Sequence, residues 1–476
     1  MSLTDFMDDE ETPPVVPLKK VEKGIKKGPL TMIGSGRRRN YPISEVAKNE
    51  WRDFAMYTVE SRAIPHMIDG LKPVQRFYLY SSIVNSPREF KKVAAVSGII
   101  SDYGYNHGEG SAAGAGQLMA ATWSNNICLV EGRGSFGTRL VQEASAARYV
   151  YTRLHANFAK YVKDLDLSPV HDDPEHEPPA FYLPIIPLVL VNGTKGIATG
   201  FATNILPRDP QGLSKACQEY IKTGKVKNRI PIKFPEFNGQ VVYSEEENRY
   251  YVNGTFERKG KTTVLITEVP YGYDREKYIE ILDKLEEDDK IIGYEDRCDG
   301  NFRFEVKLKQ ASTAWDDDRI IREFKLSKPI TENLTVIDEF GKLREYTDER
   351  DLIRDFCDFR LGILSKRIDA RIAETTEQVR WLKVKAAFIT AVLDDKITFK
   401  NRKKDDVVSQ MLDVVSKVAP MIEDDCDRLL RLNLLSLTAE MVAAALKDIE
   451  DASVILKSWQ DTTPKDQFLG DLKELK

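Results

Sequence analysis

Apolar residues in the last quarter of the chain recur at a period that suits a long helix. Ile368, Ile372, Thr375, Val379, Leu382, Ala386, Ile389 and Leu393 step alternately by four and three residues. Such heptad spacing puts one apolar seam along a helix. Phe356 and Phe359 extend it upstream, a break rich in Asp and Lys follows, and a second helical pattern runs from Thr438 to about Trp459. Two long helices around a small insert predict an antiparallel coiled-coil arm over residues 351–476. The pattern alone fits a helix packed on its own core as well as a dimer arm.

Upstream the period changes to two. GQVVYS, RYYVNGTFER, TTVLITEVP and FRFEVKLK read as strands after a connector rich in proline (Pro169, Pro174, Pro178, Pro179, Pro184, Pro187), so residues 166–350 predict an α+β region. Asn253-Gly254 has the residues of a tight hairpin turn. Residues 43–165 are rich in Gly and Ala around Gly104–Ala121, and Tyr151, Leu154, Phe158, Val162 and Leu165 predict one helical stripe. On that reading Tyr149 stands at the helix start, where free amides suit a phosphate. Residues 1–42 carry an acidic run (Asp8–Glu11), then lysines and Arg37-Arg38-Arg39, with little to build a core, and predict a disordered tail. Its basic half is as compatible with plain solvation as with a DNA or acidic-partner contact. The whole is a multidomain α+β chain.

Composition adds one surprise. The 476 residues carry a net charge of −5, which by itself leans away from nucleic acid. Residues 30–165, however, hold 17 Lys and Arg against 11 Asp and Glu, a net of +6, and residues 166–476 carry −10. The average conceals a basic region attached to an acidic frame. The N-terminus lacks a secretory pattern. The most apolar stretch, Ala180–Val191, is twelve residues long and broken by Pro184 and Pro187, too short for the roughly 20 residues of a membrane span. Five scattered cysteines without a CxxC pair predict reduced thiols in the cytoplasm.

Several apparent chemical motifs are weak. Gly260-Lys261-Thr262 lacks a correctly spaced first glycine and precedes a strand, so a hairpin loop is expected there. His171 and His176 offer metal-ligand types on a proline-broken acidic loop with no helical register to aim them. Asp164-Leu165-Asp166 resembles paired magnesium ligands but is expected at a helix end.

Arg148-Tyr149-Val150-Tyr151-Thr152-Arg153-Leu154 is the informative segment. A tyrosine after an arginine is ordinarily structural, and an ordinary phenol costs about 4 kcal/mol to ionise at neutral pH. The segment nevertheless resembles the active-site region of type IIA DNA topoisomerases, and other motifs follow in family order. They are Ser61-Arg62-Ala63-Ile64-Pro65, Asp69-Gly70-Leu71-Lys72-Pro73 with Arg76, Asn106-His107-Gly108-Glu109, Gly134-Ser135-Phe136-Gly137-Thr138-Arg139, Pro184–Gly200, Asp351–Arg360, and Pro464-Lys465-Asp466 with Asp471-Leu472. The likeness runs from about residue 45 to the end and is nearest to the stand-alone medium subunits of T-even-type bacteriophage enzymes, akin to the A-type chains of gyrase and topoisomerase IV.

The resemblance implies a winged-helix cleavage domain (43–165), a tower domain (166–350) and a coiled-coil arm with a gate (351–476). It implies Tyr149 as the nucleophile forming a 5′-phosphotyrosyl link, Arg148 stabilising the phosphate's developing charge, and Arg62 and His107 at the scissile phosphate. Lys72, Arg76 and Arg139 are expected at the DNA, with Ile197 wedging between bases. For His107 and Ile197 the residues alone allow a buried histidine and a core aliphatic. The resemblance places magnesium and ATP on partner subunits, since the family keeps its magnesium on a separate metal-binding domain and no ATPase motif stands in this chain. The implied partners are double-stranded DNA, a second copy of the chain and an ATPase subunit, with no membrane, in the cytoplasm of a bacterial host. A DNA-binding scaffold without the chemistry is the competing reading.

Overall fold

A computed structural model describes Lys48 and residues 51–422, 424–433 and 438–475; the predicted tail lies outside them. It is an α+β protein dividing into two compact units, residues 1–359 with 472–476, and residues 360–471. Residues 43–165 and 166–350 thus fall within one unit. Among the described residues no helix is long and apolar enough to cross a membrane.

The first unit begins with helix α1 (Arg52–Thr58), which gives way to a π-helical turn at Val59–Ala63. At the start of helix α2 (Pro73–Asn85), Pro73 fills the first position, whose amide would lack a partner, and the Gln75 side chain accepts from the Lys72 amide at 2.9 Å. Strand β1 (Lys91–Lys92), α3 (Val93–Gly98) and α4 (Glu109–Ala120) follow. Strands β2 (Val130–Arg133) and β3 (Tyr151–Leu154) complete a three-stranded antiparallel sheet with β3 in the centre, ahead of the short helix α5 (Ala156–Tyr161). The expected single helix over 151–165 is therefore a strand followed by a helix. Thr152 is fully buried in the sheet and its hydroxyl meets Tyr78 at 2.6 Å, so cross-strand pairing overrides the weak helical period.

Helix α6 (Leu188–Asn192) leads to a hairpin, β4 (Thr194–Ile197) and β5 (Ala202–Ile205), then α7 (Pro210–Thr223). Asp209 caps α7 through the Gly212 amide at 2.8 Å, and Gly224 closes it in the left-handed conformation. Strands β6 (Gln240–Ser244) and β7 (Arg249–Asn253) pair as a hairpin, while β8 (Thr255–Lys259) and β9 (Thr263–Glu268) form another. Helix α8 (Arg275–Glu287), β10 (Ile291–Asp296), β11 (Phe304–Leu308) and α9 (Asp317–Glu323) follow. The four-stranded sheet runs β10-β11-β9-β8, and a separate sheet runs β12-β7-β6, with β12 at Ser327–Ile330. Asn253-Gly254 is therefore no hairpin turn: the chain changes sheets there. A Cβ on Gly254 would lie 2.3 Å from the Glu268 carbonyl oxygen, so glycine permits that close backbone crossing. The expected loop at Gly260–Thr262 does join two strands. Phe304, Val306, Val264, Ile266, Tyr278, Leu282 and Phe324 form the core between the four-stranded sheet and its helices. A last hairpin, β13 (Leu334–Ile337) and β14 (Leu343–Tyr346), precedes helix α10 (Glu349–Leu393).

The second unit opens within α10, at residue 360, and continues through α11 (Lys404–Val415), α12 (Asp425–Leu430), α13 (Ala439–Asp461) and most of α14 (Pro464–Lys473). Val384, Phe388, Ile389, Val407, Met411 and Leu429 share one core. Arg380 locks the insert to α10, with guanidinium bonds to Asp425 at 2.5 and 3.0 Å. Arg360 and Arg367 both reach Asp471, joining the two ends of this unit.

Candidate active site

Tyr149 ends a turn before β3, with its amide donating to the Ala146 carbonyl at 2.8 Å. It is not at a helix start as the sequence predicts. Helix α3 instead holds the turn from below: the Val93 and Ala94 amides at its N-terminus donate to the carbonyls of Val150 (3.0 Å) and Ala147 (3.1 Å). Gln117 on α4 donates to the Ser145 carbonyl at 2.6 Å. Val150 is buried, while the adjacent Tyr149 is 65% exposed. A tightly held backbone thus projects a phenol outward, with the Arg148 guanidinium 4.9 Å from its ring centre.

The surroundings are basic. Lys92 on β1 and Arg133 on β2 both face Tyr151, the residue paired across the sheet two positions after Tyr149. Arg133 stacks at 4.8 Å on each of Phe90 and Tyr151, which explains the packed position of the second tyrosine. Among the described residues Lys91, Lys92, Arg133 and Arg148 have no carboxylate partner. Unpaired cations beside an exposed phenol suit a polyanion.

A second group forms around the end of α1. Arg62 lies on the π-helical turn and has no ion pair among the described residues. His107 is exposed, not buried, and its Nε2 lies 2.6 Å from the Tyr57 hydroxyl. The β4–β5 hairpin packs directly on this segment. A Cβ on Gly196 would fall 2.1 Å from the Ala63 carbonyl oxygen, and Ala198 packs with Val59, Ala63, Ile64 and Ile337. Ile197 at the hairpin's end is 78% exposed, so it is not the core aliphatic that its type alone allows. Lys72 braces the hairpin by donating to the Lys195 carbonyl at 2.7 Å, and burial lowers its pKa.

The remaining two expected DNA contacts face inward. Arg76 is 7% exposed and forks onto Asp69 at 2.9 and 3.1 Å. Arg139 is 4% exposed, pairs with Glu268 at 3.3 Å and stacks 4.6 Å over Tyr271. Both guanidiniums are committed to internal partners, and presenting them to DNA would strand a buried carboxylate. Tyr57 is the residue that motif reading misses; its only signal is spatial, because His107 is fifty residues away in sequence.

The donor set does not fit a magnesium ion. Hard cations take carboxylate and carbonyl oxygens, whereas the charged side chain beside Tyr149 is the Arg148 guanidinium. Among the described residues there is no group of three or more His, Cys, Asp or Glu placed to hold a metal. His171 and His176 contact each other, at 3.3 Å between ring nitrogens.

Comparison with known proteins agrees with this architecture. Residues 62–474 match the family described by the A-type chains of DNA gyrase and topoisomerase IV. The chain is 39% identical over 447 residues to the DNA topoisomerase medium subunit of Enterobacteria phage T4, covering 92% of this chain and 99% of that one. It is 28% identical over 493 residues to DNA topoisomerase 2 of Arabidopsis thaliana, but spans only 33% of that protein. The crystal structure of the Plasmodium falciparum topoisomerase II DNA-binding, cleavage and re-ligation domain superimposes with a TM-score of 0.80 at 27% identity, over 90% of this chain and 63% of that one. On the extent of these matches, the chain belongs to the gyrase A/topoisomerase IV A family of type II DNA topoisomerases.

Proposed function

We propose that the chain is the DNA-cleaving and rejoining subunit of an ATP-dependent type IIA topoisomerase that relaxes or decatenates DNA without gyrase-type supercoiling. The observation that carries the proposal is the Tyr149 turn, an exposed phenol on a fixed backbone among unpaired cations. In the cleavage step the Tyr149 Oη–P bond forms as the P–O3′ bond breaks. The phenolic proton leaves and the 3′ oxygen gains one, giving a 5′-phosphotyrosyl link and a free 3′-hydroxyl. The reverse step rejoins the strand. Arg148 stabilises the charge developing on the phosphate, and Arg62 and His107 hold its non-bridging oxygens. Ile197 enters the base stack and exchanges stacking energy for a bend that brings more DNA onto the basic surface.

In this reading residues 43–165 are a winged-helix domain, 166–350 a tower, and 351–476 a coiled-coil arm through which two copies pair. The donor set around Tyr149 suits phosphate and not a cation, so magnesium, like ATP, is assigned to a partner subunit. Rigorously purified chain should therefore bind duplex DNA yet cleave it poorly with magnesium; efficient cleavage by it alone would remove the partner from the scheme.

The decisive variant is Tyr149→Phe, assayed in the chain reconstituted with its ATPase subunit. Covalent DNA–protein complexes trapped with detergent should disappear and strand passage should stop, while DNA binding stays. Persistence of covalent complexes would leave a DNA-binding scaffold as the surviving account. Tyr151→Phe, whose ring is already stacked by Arg133, is the control and should lose only a modest fraction of the rate.

A further inference from the structure

Tyr57 lies on α1 with its ring substantially exposed, so it contributes little to a core. Its hydroxyl is 2.6 Å from His107 Nε2. On another side the imidazole meets the edge of Tyr105 at a centroid distance of 5.3 Å, and Tyr105 is in turn held against Phe77 on α2 at 5.3 Å. The imidazole is thus fixed by one hydrogen bond and one ring contact, while Nδ1 makes no hydrogen bond to the described residues.

We infer that Tyr57 is a positioning residue for DNA cleavage: its hydroxyl donates to His107 Nε2 and so directs the histidine's own N–H, on Nδ1, towards the DNA phosphate. The inference rests on the reading above that places His107 at the scissile phosphate. A phenol is a stronger acid than an imidazole N–H, and an imidazole nitrogen a stronger base than a phenol oxygen, so the donor direction runs from Tyr57 to His107. In a neutral imidazole one nitrogen donates and the other accepts, and the bond made by one sets the role of the other. A phosphate oxygen needs a donor. Without Tyr57 both tautomers are populated and the ring rotates, so a fraction of encounters presents a bare nitrogen to an anion.

The test uses Tyr57→Phe, His107→Gln and the double variant, each as the full chain reconstituted with its ATPase and metal-binding subunit on negatively supercoiled plasmid. Tyr57→Phe should slow single-turnover cleavage about five- to tenfold, the effect of one hydrogen bond of ordinary net strength, with DNA affinity unchanged. In the His107→Gln background it should have no further effect. On the full chain labelled with nitrogen-15 histidine, the His107 signals, identified by their loss in His107→Gln, should report a single Nδ1–H tautomer that becomes a mixture in Tyr57→Phe. Equal losses in both backgrounds, or a His107 spectrum indifferent to Tyr57, would overturn the inference. If Tyr149→Phe abolishes covalent complexes while Tyr57→Phe cleaves like the parent, only the positioning role fails. If Tyr149→Phe still forms them, the cleavage reading itself fails.

Discussion

Replacing Arg76 with methionine separates two roles that its motif leaves indistinguishable, a DNA contact and an internal brace. The guanidinium donates to Asp69 at 2.9 and 3.1 Å and to the Leu71 carbonyl at 3.1 Å. Asp69, 1% exposed, also accepts from the amides of Leu71 (3.0 Å) and Tyr182 (3.1 Å). Two unit charges about 4 Å apart attract by about 4 kcal/mol at an effective dielectric constant near 20. Breaking a buried pair typically costs about 3–5 kcal/mol because one charge is left uncompensated. The two amides continue to serve the carboxylate, so the lower end applies, about 3 kcal/mol. With a urea dependence of about 3 kcal/mol per molar, the unfolding midpoint followed by tryptophan fluorescence should fall by about 1 M. Arg76→Met with Asp69→Asn should recover much of that loss, since no buried charge remains. DNA affinity measured against salt should keep its slope in the folded variant. An unshifted midpoint with a salt slope smaller by about one would refute the brace and restore a phosphate contact.

His66 is buried, and desolvation lowers its pKa to about 4. The unfolded chain therefore binds more protons between about pH 6.5 and 4, so stability should fall by about 3 kcal/mol as pH drops through that window. Urea midpoints for the parent and His66→Asn, which should flatten the dependence, check this. Ile197→Ala should leave the midpoint within about 0.5 kcal/mol of the parent, as expected of an exposed site, yet reduce DNA bending measured by fluorescence transfer between duplex ends. Unchanged bending would remove the wedge. Gly196→Ala drives a Cβ to 2.1 Å from a backbone oxygen of the Arg62 segment. It should cost about 1–3 kcal/mol and lower cleavage more than DNA binding; a variant with parental stability would contradict the tight packing.

Much of the proposed site is legible in the sequence because its residues sit in short ordered motifs. Arg62, His107, Tyr149 and Ile197 all stand in such motifs, and none of the four is buried. Burial cannot be read the same way. Arg62 and Arg76 occupy neighbouring motifs and have the same side chain, but only Arg76 has a carboxylate within reach among the described residues. Helical periodicity misleads at Tyr151–Leu154 because five apolar positions over fifteen residues do not exclude a short strand, whose partners lie tens of residues away at β1 and β2. Asn253-Gly254 misleads in the opposite direction. Its residues suit a turn, but they serve a passage between two sheets.

What the sequence by itself determined was the set of local conditions. Caps at Asp209 and Gln75, the long helical pattern of α10, the basic bias of residues 30–165 and the chemistry of the Arg148-Tyr149 pair are all properties of residues close together in the chain. Tertiary structure decided which charged groups are free to act. It sequestered Arg76 and Arg139, left Arg62 and Arg148 without a carboxylate partner among the described residues, seated Gly196 against Ala63, and brought Tyr57 to His107. The physical reason is that a cation's availability depends on whether an anion lies within a few ångströms, and long-range packing sets that distance.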